Sequence, residues 1–156
     1  MLLYVLIYEF MTAGAFAMVI YLRTETVKGD LIEDFAGLAR VRPAAAAAMV
    51  IFLMSLTGIP PTAGFVGKFY LFGAAINSGY IWLAVVAAVN TAISLFYYMR
   101  VAMVMYMLES PGPVSVSSSR PLYAAMIFAV LGTLIMGIYP GPFLDLAQAS
   151  LMGLLK

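Results

Sequence analysis

The chain has 156 residues, of which 65% are apolar and 10% charged, and its formal net charge is +1. That apolar fraction describes a membrane protein, and basic residues scattered over loops give nucleic acid no surface to bind. With no cysteine and no histidine, disulfides, thiolate-held iron–sulfur clusters and histidine-ligated haem are excluded, no metal site is expected, and the electrons of any associated redox reaction must travel in other subunits.

The first apolar segment runs from about Leu2 to Leu22. It lacks the basic start and small-residue cleavage site of a signal peptide. A span that begins at Met1 without a polar lead-in suggests the tail of a longer protein. Glu9 lies inside it and admits two readings: a secondary proton-carrying carboxyl, or a solvated or protonated one without a role. Arg23 to Pro43 form a polar connection. In it Asp30 can cap a short helix with Glu33 three residues on, and Leu31, Ile32, Phe35, Leu38 and Ala39 recur at helical spacing, as in a helix lying on the membrane surface.

The next apolar run, about residues 43–78, is too long for one straight span and is broken in its middle. Two helical pieces of about fifteen residues would measure roughly 45 Å against a hydrocarbon core of about 30 Å. Pro60 and Pro61 remove two backbone donors, and Gly58 and Gly64 relax the chain, so the interruption is expected between Gly58 and Thr62. Lys68 then falls in the second half-helix, eleven residues before Gly79, roughly 16 Å deep and near the middle of the membrane. An ammonium there costs about 2.5 to 3.5 kcal/mol on insertion scales, so it should face protein or a water-filled cavity. The alternative is a tilted helix from which the long stem reaches the interface. Desolvation penalises the charged amine relative to the neutral one, which suits a side chain that takes up and gives off a proton. Groups freed by the break need partners, which water or the Thr57 and Thr62 hydroxyls can supply.

A third span covers about residues 80–108. Asn90, Thr91 and Ser94 gather near its middle on one helical face, as interhelical hydrogen bonds or a water path require. Tyr97, Tyr98, Arg100 and Tyr106 follow as interfacial anchors. Glu109 to Pro113 and Ser117 to Ser119 read as a flexible loop, about residues 122–139 as a last span, and Phe143 to Lys156 as a surface-lying or packed helix, with Phe143, Leu144, Ala147, Leu151, Leu154 and Leu155 on one side. Arg23, Lys28, Arg40, Arg42, Arg100 and Arg120 border one side of these spans and Lys156 the other. The positive-inside rule therefore places both chain ends on the non-cytoplasmic side. The fold expected is all-α, residues 1–156 forming one transmembrane domain of about four helices, the second broken at Gly58 to Pro61, with short surface helices.

Ser55-Leu56-Thr57-Gly58-Ile59-Pro60-Pro61-Thr62-Ala63-Gly64-Phe65-Val66-Gly67-Lys68-Phe69-Tyr70-Leu71-Phe72, followed by Trp82, Asn90 and Phe96-Tyr97-Tyr98-Met99-Arg100, resembles the antiporter-like membrane subunits of respiratory complex I. Within that group it is most similar to the subunit N (subunit 2) family of NADH-quinone oxidoreductase. Gly14-Ala15-Phe16-Ala17 fits the span before the broken helix. The related subunit M family carries a glutamate at the Lys68 position, and antiporter subunits and hydrogenase membrane arms share the broken helix with other flanking residues.

The resemblance implies the last four spans of a longer subunit built from two inverted five-helix repeats, each with a broken helix and a buried charge. It implies Lys68 as a proton-translocation residue releasing to the non-cytoplasmic side, and a multi-pass subunit of the bacterial inner membrane that packs against other membrane-arm subunits. NADH, FMN, iron–sulfur clusters and quinone would be bound by partner subunits and none by this chain. The family's upstream glutamate and two lysines have no counterparts here, which counts against independent transport, and the resemblance assigns no role to Glu9. A cation/proton antiporter or hydrogenase subunit, and a structural membrane fragment without transport, are the competing readings.

Overall fold

The computed structural model describes residues 2–23, 31–109 and 120–154. The elements are α1 (Leu2–Leu22), a short 3-10 helix (Ile32–Phe35), α2 (Leu38–Val41), α3 (Pro43–Thr57), α4 (Ala63–Asn77), α5 (Ile81–Met107), α6 (Arg120–Ile138) and α7 (Gly141–Leu154). The fold is the all-α membrane bundle expected, with no strand among the described residues. Helices α1, α5 and α6 are each long and apolar enough to cross a membrane, and α3 is a shorter apolar helix. At about 1.5 Å per residue neither α3 nor α4 reaches 30 Å, so the two act as one interrupted span.

The interrupted pair is the centre of the bundle. Helix α1 packs on α3, α4 and α6, while α5 packs on α3 and α4. Buried apolar side chains form two groups. One, including Met18, Phe35, Leu38, Met49, Phe52 and Met105, fills the half nearer the α1–α3 connection. The other, Leu3, Ile7, Met11, Ala63 and Met136, fills the half around the start of α4, where Phe143, Leu144 and Ala147 of α7 pack against it. The tail therefore packs on the bundle through the face expected of it. The described side chains do not extend to Gln148, Leu151 and the residues beyond, Lys156 among them.

The connection differs from the surface helix expected. Gly37 adopts φ 72° and divides the segment into two short pieces. Phe35, Ala36 and Leu38 are buried, so this face plugs the end of the bundle. Asp30 and Lys28 lie outside the described residues, as does the loop 110–119. The first turn begins at Leu31, whose N–H donates to Asp34 Oδ2 at 3.2 Å, one residue later than a cap at Asp30 would place it. Arg40 Nη1 meets Glu109 Oε1 at 2.8 Å and ties the connection to the end of α5, but both partners are exposed and such pairs contribute little.

Helix α5 touches its neighbours along one stripe. Ala84, Ser94, Ala102 and Met105 are buried and Ala87, Thr91, Tyr98 and Val101 half-buried, close to the alternating three- and four-residue spacing of a helix seam. The rest of α5, from Trp82 to Phe96, is exposed. That stripe carries three of its hydroxyl groups inward.

Small residues allow the backbones to approach, as is usual where packing rather than the hydrophobic effect associates membrane helices. A Cβ on Gly137 of α6 would overlap the Pro61 carbonyl oxygen, and one on Gly64 would overlap the Ser55 carbonyl oxygen, whereas Gly73 on the same helix has open space around it. Gly64→Ala should therefore destabilise the solubilised protein by about 1–3 kcal/mol through overpacking, and Gly73→Ala should leave it equal or more stable. Thermal denaturation in detergent of the two variants beside the parent checks this, and equal midpoints for both would contradict the close approach.

Candidate proton site at the helix break

The break spans Gly58 to Thr62, inside the limits the prolines and glycines set. Helix α3 ends in a Schellman motif. Gly58, at φ 89°, donates to Ser55 O at 3.0 Å, and the N–H of Ile59 donates to Met54 O at 3.0 Å. Only a residue without Cβ adopts that conformation cheaply. The Pro60–Pro61 peptide is cis. Thr62 then starts α4 from extended backbone, and its hydroxyl donates to Ile59 O at 2.7 Å.

The Schellman bonds leave the carbonyls of Leu56 and Thr57 without a helical partner. Lys68 takes both. Its Nζ donates to Leu56 O at 2.9 Å and to Thr57 O at 2.9 Å, and its third hydrogen is directed at Thr91 Oγ1 on α5, 3.4 Å away. An ammonium has three donors and no acceptor, so each N–H has an oxygen acceptor, the Thr91 contact being long and weak. The two carbonyls are the negative end of the α3 dipole, which favours a cation. Lys68 thus reaches back to the end of the preceding half-helix, a partner that its depth and desolvation alone did not reveal.

A reciprocal bond closes the other side. With its N-cap hydroxyl turned to Ile59, α4 has a free N–H at Gly64, which donates to Ser55 Oγ on α3 at 3.0 Å. Ser55 is fully buried and its own hydrogen is directed at Met11 Sδ of α1 at 3.3 Å. The approach needed for this bond is why residue 64 has no side chain.

The candidate water-path residues separate into two groups. Thr91 and Ser94 lie on the inward stripe of α5. Thr91 donates to Ala87 O at 2.9 Å while facing Lys68, and Ser94 Oγ donates to Thr91 O at 2.8 Å. Asn90 is exposed and off that stripe. Thr57 is buried but its hydroxyl donates back to Leu53 O at 2.8 Å, so it contributes its carbonyl, not its hydroxyl, to the lysine. Glu9 is exposed on α1 and belongs to none of the bonds that hold Lys68.

Residues 1–94 match the family model described as NADH:quinone oxidoreductase/Mrp antiporter, transmembrane region. The chain belongs to this family. NADH-quinone oxidoreductase subunit N from Trichlorobacter lovleyi is 42% identical over 152 residues, which cover 96% of this chain and 31% of that relative. F(420)H(2) dehydrogenase subunit N from Methanosarcina mazei is 43% identical over 160 residues, covering 97% and 32%. Among solved structures, a chain of respiratory complex I from Thermus thermophilus with bound aureothin superposes with a TM-score of 0.69 at 29% identity, over 89% of this chain and 32% of that one. The chain spans about a third of the length of the relatives it matches.

Ser55 is the residue whose importance the sequence concealed: a serine inside an apolar helix reads as a minor polar contact, and only its position opposite Gly64 reveals a cap. Ser55→Ala should cost about 1–2 kcal/mol, the usual loss for an N-cap. Thr57→Val, which removes a hydroxyl bonded within its own helix, should cost less. Detergent unfolding of both variants checks the order, and the reverse order would contradict the reciprocal capping.

Proposed function

We propose that this chain supplies a lysine-centred proton-translocation site in a membrane-arm subunit of an NADH-quinone oxidoreductase, coupled to electron transfer from NADH to quinone. The observation that carries the reading is the Lys68 amine, seated between the last two carbonyls of α3 and the Thr91 hydroxyl at the interruption of a membrane-spanning helix. Its support is membership of a family described by quinone oxidoreductases and antiporters and similarity to relatives named subunit N.

The geometry suits reversible protonation. As an ammonium, Lys68 offers three hydrogens to three oxygens. When the proton leaves, the two remaining N–H groups keep the Leu56 and Thr57 carbonyls. The bond given up is the longest one, and the Thr91 hydroxyl can turn its hydrogen from Ala87 O to the nitrogen lone pair. The amine is therefore held at one place in both states, and a fixed station is what a relay needs.

Electron transfer would belong to partner subunits, which bind NADH, FMN, iron–sulfur clusters and quinone. The chain has neither thiol nor imidazole to hold such clusters. Similarity is nearly equal to subunits of enzymes named for NADH and for F(420)H(2), as expected of a module that handles protons and leaves the electron donor to others. Its place would be the bacterial inner membrane, as a multi-pass subunit against other membrane-arm subunits. A cation/proton antiporter is the second reading, favoured by the antiporter half of the family description.

Two substitutions in the full-length subunit test the reading. Lys68→Ala removes the proton carrier, and Lys68→Arg keeps a permanently charged donor able to cap the carbonyls. Both should yield assembled complex with proton pumping reduced several-fold. Pumping at the parental rate in assembled Lys68→Arg would refute proton exchange at this position, and coupled sodium transport without quinone reduction would favour the antiporter.

A further inference from the structure

A groove of about 340 Å³ runs between α3 and α6. Ala44, Ala47 and Ile51 form one wall, and Tyr123, Ile127 and Leu131 the other. Gly137 near the end of α6 meets Pro61 just past the end of α3, so the two helices run in the same direction. One end of the groove therefore opens where both helices begin. The Tyr123 hydroxyl is the one polar side-chain group among the residues that line it.

Beyond that end stand two arginines. Arg42 directly precedes α3, and Arg120 opens α6 three residues before Tyr123, on the same helix face. Both are exposed, and among the described residues neither belongs to an ion pair, whereas Arg40 meets Glu109. Each guanidinium also sits at the positive end of a helix dipole, which disfavours a cation. Neither first turn contains an acidic residue, and that of α3 has no side-chain cap, so its N–H groups add to the positive field. An anion bound there would offset all of these charges at once.

Along its axis the groove thus presents guanidinium groups, then a tyrosine hydroxyl, then an apolar trough. A phospholipid carries the complementary order of phosphate, ester oxygens and hydrocarbon. Basic residues mark this side of the bundle as cytoplasmic, and the leaflet on that side holds the anionic lipids that basic pockets between membrane helices select. We propose that the groove between α3 and α6 binds an anionic phospholipid of the cytoplasmic leaflet, its phosphate between Arg42 and Arg120 and an acyl chain along Ala44, Ala47 and Ile51. Alanine on α3 leaves the trough open for the chain. The site shares no residue with the lysine at the helix break, so it stands or falls independently of the proton reading.

The test uses the full-length subunit in its complex, reconstituted in vesicles that contain a trace of phosphatidylglycerol or phosphatidylcholine with a diazirine on the acyl chain. After illumination, adducts are mapped by peptide mass spectrometry. Residues 44–51 and 123–131 should collect several-fold more adduct from phosphatidylglycerol than from phosphatidylcholine. Arg42→Gln combined with Arg120→Gln should bring phosphatidylglycerol down to the phosphatidylcholine level. Arg100→Gln, at an exposed position of α5, should leave the preference intact. Ala47→Phe, also at an exposed position, fills the trough while keeping both charges and should lower the adducts on residues 123–131 several-fold. That variant provides the answer if the double arginine variant assembles poorly. Equal labelling by the two lipids would mean an ordinary lipid-facing surface, and no labelling would mean a protein segment packed in the groove. Either result, a preference that survives loss of both arginines, or unchanged labelling in Ala47→Phe would overturn the site.

Discussion

The structure depends on an exchange of caps across a helix break. A helix interrupted inside a membrane exposes carbonyls at one new end and N–H groups at the other, and hydrocarbon satisfies neither. Here each half-helix supplies what the other lacks. Ser55 of α3 accepts the Gly64 N–H of α4, and Lys68 of α4 donates to the Leu56 and Thr57 carbonyls of α3. Lys68 is therefore the cap of the preceding half-helix as well as the residue proposed to exchange the proton. The Leu56 and Thr57 carbonyls need only two of its hydrogens, so the cap holds whether the amine is charged or neutral.

The packing around the break follows from that exchange. Gly64 lies against Ser55, and Gly137 brings α6 onto the backbone of Pro61 and Thr62, while Pro60 and Pro61 themselves stay exposed. Two apolar groups, one in each half of the bundle, flank this level. The inward stripe of α5 brings Thr91 to the amine from the remaining direction. An interruption held on several sides can carry a half-buried cation without unravelling.

Much of this was legible from composition and punctuation. Apolar run lengths located the spans, and the glycine and proline cluster located the break, because these residues act through local backbone chemistry that a sequence states directly. That Lys68 falls on the second half-helix followed from the position of the break. Its partners did not, since a long flexible side chain can reach back across a turn as readily as forward. The Asn90, Thr91 and Ser94 group was half right: the helical wheel placed them close, but tertiary contact decided that Thr91 and Ser94 turn inward and Asn90 outward. Ser55 and Met11 were illegible because their meaning depends on which helix lies opposite. The connection was read one residue early and as one helix, because Asp34 caps the Leu31 N–H from within the turn and Gly37 divides the segment.

The most direct test of the central claim is a density map of the membrane-embedded subunit at a resolution that shows carbonyl oxygens and the lysine side chain. The account predicts Lys68 Nζ within hydrogen-bond distance of the Leu56 and Thr57 oxygens, with Ser55 Oγ against the Gly64 nitrogen. A lysine extended toward the lipid headgroups, or helical hydrogen bonds running unbroken through Pro60 and Pro61, would contradict it.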